Sequence, residues 1–308
     1  MRLLAPGEPL VVQEVVLPEP GPGEVRVRLR YGGVNPIDRY NAEGRVFPGG
    51  QLPRTLGGEA AGELDGRPVL VAGEQLGGAR DGVWAQAANV PAEAITPLPG
   101  GVGLREAAAM GIAGLTAVNC VRGLARVGSD DRVLVLGASG GVGSMIVSLT
   151  RAAGATVWGH TGSPEKVAGI GDDGADRVLV GGPGEIAAEL ADYAPTVAFD
   201  PLGDGFVAPL VEAMAPGGRI VSFGVSAGAQ ATLNLQQLYR KGLSLLGYAG
   251  LRLTREQRRA GLEEALEEVR SGRLRVRVDD VLELKRVGEA FQRLAERRVQ
   301  GKLLLDLS

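Results

Sequence analysis

A glycine-rich turn between an apolar strand and a helix constrains the fold more than any other feature of the sequence. Residues 132–136 predict a buried strand, and the run Gly137-Ala138-Ser139-Gly140-Gly141-Val142-Gly143 follows it directly, opening a predicted helix. In this Ala-x-Gly-x-x-Gly pattern, Gly140 lets the backbone approach a phosphate and Gly143 lets the helix pack closely on the strand. Because a helix N-terminus presents unpaired amides and a partial positive charge, the turn predicts a site for the pyrophosphate of a dinucleotide.

The residues after the second predicted strand, 155–159, indicate which dinucleotide is bound. NAD-selective sites carry an acidic residue about 20 residues after the motif begins, bonded to the ribose 2′-hydroxyl. Here His160-Thr161-Gly162-Ser163 contains no acid, and Lys166 lies in the next helical turn. Ser163 and Lys166 would attract a 2′-phosphate, which predicts NADPH rather than NADH. The alternative is that Ser163 only caps a helix and Lys166 is solvated, and His160 is expected at the surface or at the edge of the cofactor.

Two sequence patterns divide the chain. Residues 1–100 are rich in proline and glycine, with short alternating runs such as Val25–Tyr31 and Arg67–Ala72 that predict antiparallel strands. Residues 115–249 alternate between apolar strands and helices, which predicts a parallel, doubly wound sheet of the Rossmann type. A further helix over 255–271, with a predicted capping box of Thr254 and Gln257, begins a tail that the sequence alone assigns to neither part.

Composition narrows the function classes. The chain has 308 residues, 44% of them hydrophobic, and a formal net charge of −3, which argues against binding to a nucleic-acid backbone. We see no apolar run approaching the ~18 residues of a membrane span. The single cysteine, Cys120, fits a reducing compartment and is expected in the core, so we expect a cytoplasmic protein. One cysteine and one histidine cannot form the common zinc sites, and no metal is expected.

Several motifs, in order, resemble the zinc-free branch of the medium-chain dehydrogenase/reductases, the zeta-crystallin-like NADPH:quinone oxidoreductases. The matching segments span nearly the whole chain and are Gly33–Asp38 with Tyr40, Leu56–Gly62, Ala107–Ala109 with Leu115–Ala117, Gly137–Gly143, Gly174–Asp176, Phe199-Asp200, Gly217–Val221, Phe223-Gly224, Glu289-Ala290 and Gly301-Lys302. The resemblance implies an α/β protein in which residues 1–114 and 250–308 form a GroES-like, mostly-β catalytic domain. Residues 115–249 would be the inserted Rossmann domain. Gly58 stands where zinc-dependent relatives carry a histidine.

The resemblance also implies roles for individual residues. Asn35 and Tyr40 would face the nicotinamide and the substrate, and Thr116 would contact the cofactor. The turn residues that would hold the pyrophosphate are Ala138, Ser139, Gly140, Gly141, Val142 and Gly143. Ser163 and Lys166 would bind the adenosine phosphate, and Phe223, Gly224 and Val225 would lie along the ribose and nicotinamide. The alternative is that Asn35 is only a turn residue before proline and that Tyr40 is only a packing residue.

The activity implied is hydride transfer from NADPH to a quinone or another planar electrophile, in a cleft between the domains of a homodimer. The last Rossmann strand, near Leu243–Tyr248, is the sheet edge expected to pair across a two-fold axis. Segment 63–84 is shorter than in the family, and the family's tyrosine after the lysine has no clear equivalent around 170–173. No residue is a clear general acid, which favours a quinone. Two other functions stay open, an enoyl or 2-alkenal reductase and a non-catalytic NADPH-binding structural or regulatory protein.

Overall fold

The alternating Val-Arg-Val-Arg-Leu-Arg segment forms the middle of the longest strand in the first part of the chain. The computed structural model describes residues 1–47 and 50–308. The strands of the first part are β1 Arg2–Leu3, β2 Glu24–Val34, β3 Arg54–Thr55, β4 Glu59–Leu64, β5 Arg67–Ala72, β6 Ala87–Pro91 and β7 Ile95–Pro97. Its helices are α1 Pro36–Ala42 and α2 Leu104–Val118, which continues as a π-helix over Asn119–Ala125. The Ala- and Leu-rich run over 105–126 predicts a single helix there, whereas α1 was not predicted.

Regular alternation of strand and helix follows. The elements are β8 Arg132–Val135, α3 Gly141–Ala152, β9 Thr156–Thr161, α4 Val167–Asp173, β10 Arg177–Val180, α5 Pro183–Tyr193, β11 Val197–Asp200, α6 Val207–Ala213, β12 Arg219–Ser222, α7 Leu235–Arg240 and β13 Ser244–Gly247. The tail contains α8 Arg255–Arg270, β14 Val278–Glu283, α9 Val287–Ala295 and β15 Lys302–Asp306. The predicted capping box of α8 is confirmed, since the Thr254 and Gln257 side chains each accept the other residue's backbone amide.

The described chain forms two compact units. The first contains Met1–Leu115, Thr254–Ser271 and Val276–Ser308, and the second contains Thr116–Leu253 and Gly272–Arg275. The first unit is built on a sheet of order β14-β15-β2-β4-β5-β7, with β6 also paired to β2. Its pairs are antiparallel except β14 with β15. The alternation of β2 places Val27 and Leu29 in the core and leaves Arg26 and Arg28 exposed on the outer face.

The second unit is a parallel sheet of order β10-β9-β8-β11-β12-β13 with helices between consecutive strands. The order reverses between β8 and β11, which makes the carboxyl ends of these strands the expected ligand-binding edge. The apolar residues of β8 and β11 are buried because both faces of such a sheet are covered. The predicted α/β fold class is confirmed, and Cys120 is buried as expected.

One segment of the described chain is long and apolar enough to cross a membrane by length and composition. This segment is Leu104–Ala125, and 67% of its most apolar window is buried within the protein. Such burial is typical of a core helix. The sequence expectation that no apolar run approaches a membrane span overlooked this helix, because two charged residues at its start and one near its end interrupt the run.

Tyr193 provides a test of how the second unit is held together. Its buried hydroxyl lies 3.1 Å from the Val133 carbonyl oxygen and 2.8 Å from that of Thr156, and its ring stacks on Trp158. We expect Tyr193→Phe to lower the free energy of unfolding of this unit by about 1–2 kcal/mol, because a buried donor is lost while its acceptors stay in place. The measurement is urea denaturation followed by ¹⁹F NMR of 5-fluorotryptophan, since Trp158 reports this unit and Trp84 the other.

The exposed Tyr239, also in the second unit, supplies the matched control, and Tyr239→Phe should change the free energy by less than about 0.5 kcal/mol. Equal effects of the two substitutions would contradict the structural role of the Tyr193 hydroxyl.

Candidate active site

The glycine turn has the backbone geometry that a close approach requires. Gly137 has a φ of +60°, a left-handed conformation that favours glycine. A Cβ on Gly143 would lie 2.3 Å from the carbonyl oxygen of Gly137. Helix α3 can therefore pack this closely on the turn only because residue 143 has no side chain. Gly140 is the N-cap of α3, and no described side chain caps this helix end. The first amides of α3 therefore remain for a ligand such as pyrophosphate.

Two further loops share this carboxyl edge of the sheet. After β11, the buried carboxylate of Asp200 accepts the amides of Leu202 at 2.8 Å and Gly203 at 3.0 Å. Burial raises the pKa of Asp200, and these two hydrogen bonds oppose that shift. A Cβ on Gly137 would lie 3.1 Å from the ring of Pro201, which puts the loop after β11 against the glycine turn.

The predicted segment Phe223-Gly224-Val225 follows β12 on the same edge. The Phe223 amide donates to the Asp200 carbonyl at 3.0 Å, and a Cβ on Gly224 would meet the Pro201 carbonyl oxygen at 2.8 Å. Val225 is exposed. The structure thus brings Ala138–Gly143 and 223–225 to one side of the second unit, although no bound ligand tests their roles.

His160 is only 2% exposed, which rules out the surface position, while its place at the edge of the cofactor stays a prediction. Its Nε2 lies 2.9 Å from the Gly181 carbonyl oxygen, and its Nδ1 lies 3.5 Å from the amide nitrogen of Gly137. A carbonyl accepts and an amide donates, so both contacts fit the neutral ring protonated at Nε2. Burial lowers the pKa of His160, against the opposing effect of the hydrogen bond to Gly181. The imidazole therefore ties the glycine turn to the loop after β10.

The residues predicted to bind the adenosine phosphate lie just beyond β9. Ser163 is half-buried, and its side chain caps no helix among the described residues, so the interpretation as a simple cap is wrong. Lys166 is 8% exposed, which also rules out a freely solvated lysine. Thr116, the predicted cofactor contact in α2, is buried as well. The ligand-binding roles of these three residues stay predictions.

In the first unit, Asn35 is buried and its side-chain amide is engaged on both sides. Its Nδ2 donates to Glu59 Oε1 at 2.6 Å, and its Oδ1 accepts from Lys302 Nζ at 2.5 Å. The Lys302 ammonium also lies 2.8 Å from Glu59 Oε1. Asn35 stands at the N-cap of α1 without capping it, because Glu59 and Lys302 hold the amide. It is therefore more than a turn residue before a proline.

Asp38 joins the two loops that carry Asn35 and Glu59. Its Oδ2 accepts the amide of Asn35 at 2.8 Å, and its Oδ1 accepts the amide of Gly58 at 3.1 Å. Burial, helped by the nearby Glu59 carboxylate, raises the pKa of Asp38 to about 7 despite these hydrogen bonds and the Lys302 charge. The backbone amide of Gly58 is thus used structurally in this chain.

Tyr40 lies in α1 and is half-buried, with two guanidinium groups against its ring. Arg45 is 4.6 Å and Arg39 5.6 Å from the ring centroid. Both guanidiniums also pair with Glu43, at 3.1 Å from Arg45 and 3.0 Å from Arg39, which leaves one net positive charge in this group. The surroundings of the phenol are therefore cationic, which favours negative charge developing near it.

Three residues of the first unit were not predicted from the sequence to matter for the site. Glu59, Lys302 and Asp38 lie in motifs that were matched to the family, yet no role was assigned to them. A signal was present for Lys302, because it begins the apolar strand Lys-Leu-Leu-Leu-Asp, and a lysine in a buried strand needs a charged partner. Among residues 1–47 and 50–308, no group of three or more His, Cys, Asp or Glu side chains is placed to hold a metal.

Comparisons with known proteins match both units. A family described as zinc-binding dehydrogenases matches residues 141–268. A quinone oxidoreductase from Pseudomonas aeruginosa is 30% identical over 303 residues, which cover 93% of this chain and 92% of that protein. The quinone oxidoreductase from Thermus thermophilus, solved alone and in complex with NADPH, superposes with a TM-score of 0.87 at 28% identity, covering 99% of each chain. The bovine prostaglandin reductase-3 is 28% identical over 75% of this chain and 66% of its own length.

The buried imidazole predicts how the second unit responds to acid. Because the pKa of His160 is lowered from 6.5 in the folded state, the unfolded chain binds an extra proton below that pH. The free energy of unfolding is therefore intact above pH ~6.5 and falls by about 1.4 kcal/mol per pH unit below it, while the folded ring stays neutral. The change is followed through 5-fluorotryptophan at Trp158, which lies in the same unit.

His160→Gln is the control, because glutamine offers a donor and an acceptor without titrating. Its free energy of unfolding should be nearly flat between about pH 5.5 and 6.5 once other groups are accounted for. If the wild type and His160→Gln lost stability in parallel, the neutral imidazole would not be the cause.

Proposed function

The chain belongs to the quinone oxidoreductase family of medium-chain dehydrogenase/reductases, and on that premise we propose that it is an NADPH-dependent, zinc-independent reductase of quinones. The observation that carries the proposal is the 30% identity to a quinone oxidoreductase over 93% of the chain, because it extends over both units. The single reduced cysteine supports a cytoplasmic location as part of the same proposal.

The second unit would hold the cofactor through its glycine turn and the two neighbouring loops. The amides at the start of α3 bind the pyrophosphate, and the contact between Gly143 and Gly137 keeps that surface free of side-chain atoms. Ser163 and Lys166 bind the 2′-phosphate, and 223–225 lie along the ribose and nicotinamide. When bound, NADPH supplies the hydride for the reaction.

The first unit would supply the contacts to the acceptor. Asn35 hydrogen-bonds the nicotinamide region or the acceptor carbonyl oxygen. Tyr40 donates its hydroxyl to the negative charge that develops on this oxygen, and the guanidiniums of Arg39 and Arg45 stabilise that charge. Quinone reduction takes up one hydride and one proton. Hydride addition gives a hydroquinone anion that is stabilised by its aromatic ring, so it can leave the site and take its proton from water. No dedicated general acid is required.

Zinc independence is proposed from the available donors. Cys120 and His160 are both buried in the second unit. In the first unit, the oxygens of Glu59 are engaged by Asn35, Lys302 and the Ile112 amide. A zinc ion beside this carboxylate would meet the Lys302 ammonium 2.8 Å from Oε1, and the two positive charges repel.

A second candidate acceptor is an activated alkene, favoured by the similarity to prostaglandin reductase-3 over 75% of the chain. The same cofactor site and the same cationic surroundings of Tyr40 would serve an enone, whose reduction also develops negative charge on an oxygen. An alkene, however, needs a proton on carbon, and the two acids that hydrogen-bond to Asn35, Asp38 and Glu59, are both buried. We therefore place quinones first.

The acceptor class is tested by following NADPH oxidation with 1,2-quinones, 1,4-quinones and a 2-alkenal. We expect the highest kcat/KM with a quinone and tighter binding of NADPH than of NADH by at least tenfold, about 1.4 kcal/mol. Gly143→Ala should weaken NADPH binding at least tenfold, because its Cβ would lie 2.3 Å from the Gly137 carbonyl oxygen.

Gly184→Ala, in α5 of the same unit, is the matched control, since its Cβ would meet nothing within 4 Å. Turnover of the alkenal alone would select the second candidate, and tight NADPH binding with no turnover of any acceptor would indicate a binding protein. Equal affinities for NADPH and NADH would refute the roles given to Ser163 and Lys166.

We further propose that the enzyme is a homodimer that pairs through β13. This strand is one edge of the six-stranded sheet, and Leu245 on it is 46% exposed. Leu235, on α7, is also an exposed apolar residue in this unit. An apolar, unpaired edge of this kind joins to a second copy across a two-fold axis, which extends the sheet.

The dimer is tested by sedimentation velocity. Wild-type protein should sediment as a dimer, and Leu245→Arg should shift it to the monomer, because a charge would be buried at the strand edge. Val180→Arg, on the opposite edge strand β10, is the control and should remain dimeric. A monomeric wild type would refute the proposed pairing.

A further inference from the structure

We propose that Glu59 and Lys302 are positioning residues for Asn35, which lock its side-chain amide in one orientation for the reaction. The inference rests on the proposed function, in which the Asn35 amide contacts the nicotinamide region or the acceptor. It adds to that function a buried ion pair, distant from Asn35 in sequence, whose task is orientation.

The contacts form a closed triangle. Asn35 donates from Nδ2 to Glu59 Oε1 at 2.6 Å, and Lys302 donates from Nζ to Asn35 Oδ1 at 2.5 Å. The third side is the 2.8 Å ion pair between Lys302 Nζ and Glu59 Oε1. Exposed fractions are 6% for Asn35, 0% for Glu59 and 4% for Lys302. In such a buried setting these charge-assisted hydrogen bonds are short and strong.

This triangle permits only one amide orientation. Rotating the Asn35 amide by half a turn would set its NH₂ group against the Lys302 ammonium and its oxygen against the Glu59 carboxylate. Two favourable contacts would become two repulsive ones. In the observed orientation each amide end has used one hydrogen-bonding position, which leaves one N–H and one lone pair for a ligand.

The surrounding backbone is shaped around the carboxylate. A Cβ on Gly33 would lie 2.3 Å from Glu59 Oε1, and a Cβ on Gly111 would lie 2.6 Å from Oε2. Oε2 also accepts the backbone amide of Ile112 in α2 at 2.5 Å. Glu59 is therefore tightly enclosed by β2 and α2.

Stability alone gives a weak reason for such an arrangement. A buried ion pair contributes little compared with apolar residues of the same volume, because desolvation offsets the attraction. An ion pair does, however, define donor and acceptor directions that apolar residues cannot. Orientation of a neighbouring polar group is the property that this pair supplies and that methionine or leucine would not.

A double-mutant cycle tests the inference through catalysis. Lys302→Met and Asn35→Ala should each lower kcat/KM for the accepted quinone at least tenfold, mainly through kcat. The kcat/KM of the double variant should equal that of the less active single variant, because Lys302 acts through Asn35. Lys302→Arg should retain part of the activity, and Lys285→Met, at an exposed ion pair with Glu283, should retain all of it. Independent, multiplying losses would overturn the inference.

A second measurement is independent of turnover. The chain has few asparagines, so ¹⁵N-asparagine labelling gives separable side-chain amide signals for Asn35, Asn41, Asn89, Asn119 and Asn234. We expect the Asn35 pair to exchange slowly with water and to shift in Lys302→Met, while the exposed Asn234 pair stays unchanged. The double variant Glu59→Gln/Lys302→Met, which strands no charge, gives the same comparison if Lys302→Met fails to fold.

An Asn35 signal that is insensitive to both variants would overturn the inference, even in an active enzyme. A responsive Asn35 signal in a protein that reduces no quinone would instead overturn the proposed function and leave the locked orientation established. The two failures are therefore distinguishable.

Discussion

The Glu59 carboxylate is the interaction on which the first unit depends. It joins a side chain at the start of α1, the backbone of α2 and the first residue of β15, partners separated from it by 24, 53 and 243 residues. Burying a carboxylate without these donors would be strongly destabilising, so each donor segment is held within hydrogen-bond distance of the charge. The approach of these three segments to one another and the orientation of Asn35 therefore have one electrostatic cause.

A second, steric constraint governs the other unit. The contact of Gly143 with Gly137 sets α3 directly on the turn, and the loops after β11 and β12 pack against the same backbone through Pro201. His160 then ties this turn to the loop after β10 by hydrogen bonds that need a neutral ring. Close backbone packing leaves little freedom for the amides at the start of α3. That rigidity is what an anion site requires, because donors already in place need not be ordered when a ligand binds.

The two units differ in how far the sequence predicts them. Strand and helix periods are local, so β8–β13 and the glycine turn followed from patterns of a few residues. The fold class followed as well. Helix α1 was missed because Asn35-Pro36 is typical of a turn, and its helical state depends on Asp38 accepting the amide of Asn35. The burial of His160 was not predicted because it depends on distant acceptors such as Gly181. The Glu59–Lys302 pair bridges 243 residues, and no local pattern encodes such a contact.

Charge balance links the buried triangle to the reaction proposed for it. Glu59 and Lys302 neutralise each other, so the net charge beside Asn35 depends on Asp38, whose pKa is raised to about 7. Below that pH Asp38 is protonated and the group of four residues is neutral. Above it the group carries a negative charge, which opposes further negative charge nearby. Because burial raises the pKa of Asp38 in the folded state, the folded chain holds this proton more tightly than the unfolded chain does. The resulting contribution to the free energy of unfolding is fully present below pH ~4 and is lost as the pH rises toward 7. An oxyanion that develops on the acceptor is therefore repelled least when Asp38 keeps its proton. The guanidiniums beside Tyr40 favour the same oxyanion, because they are positively charged.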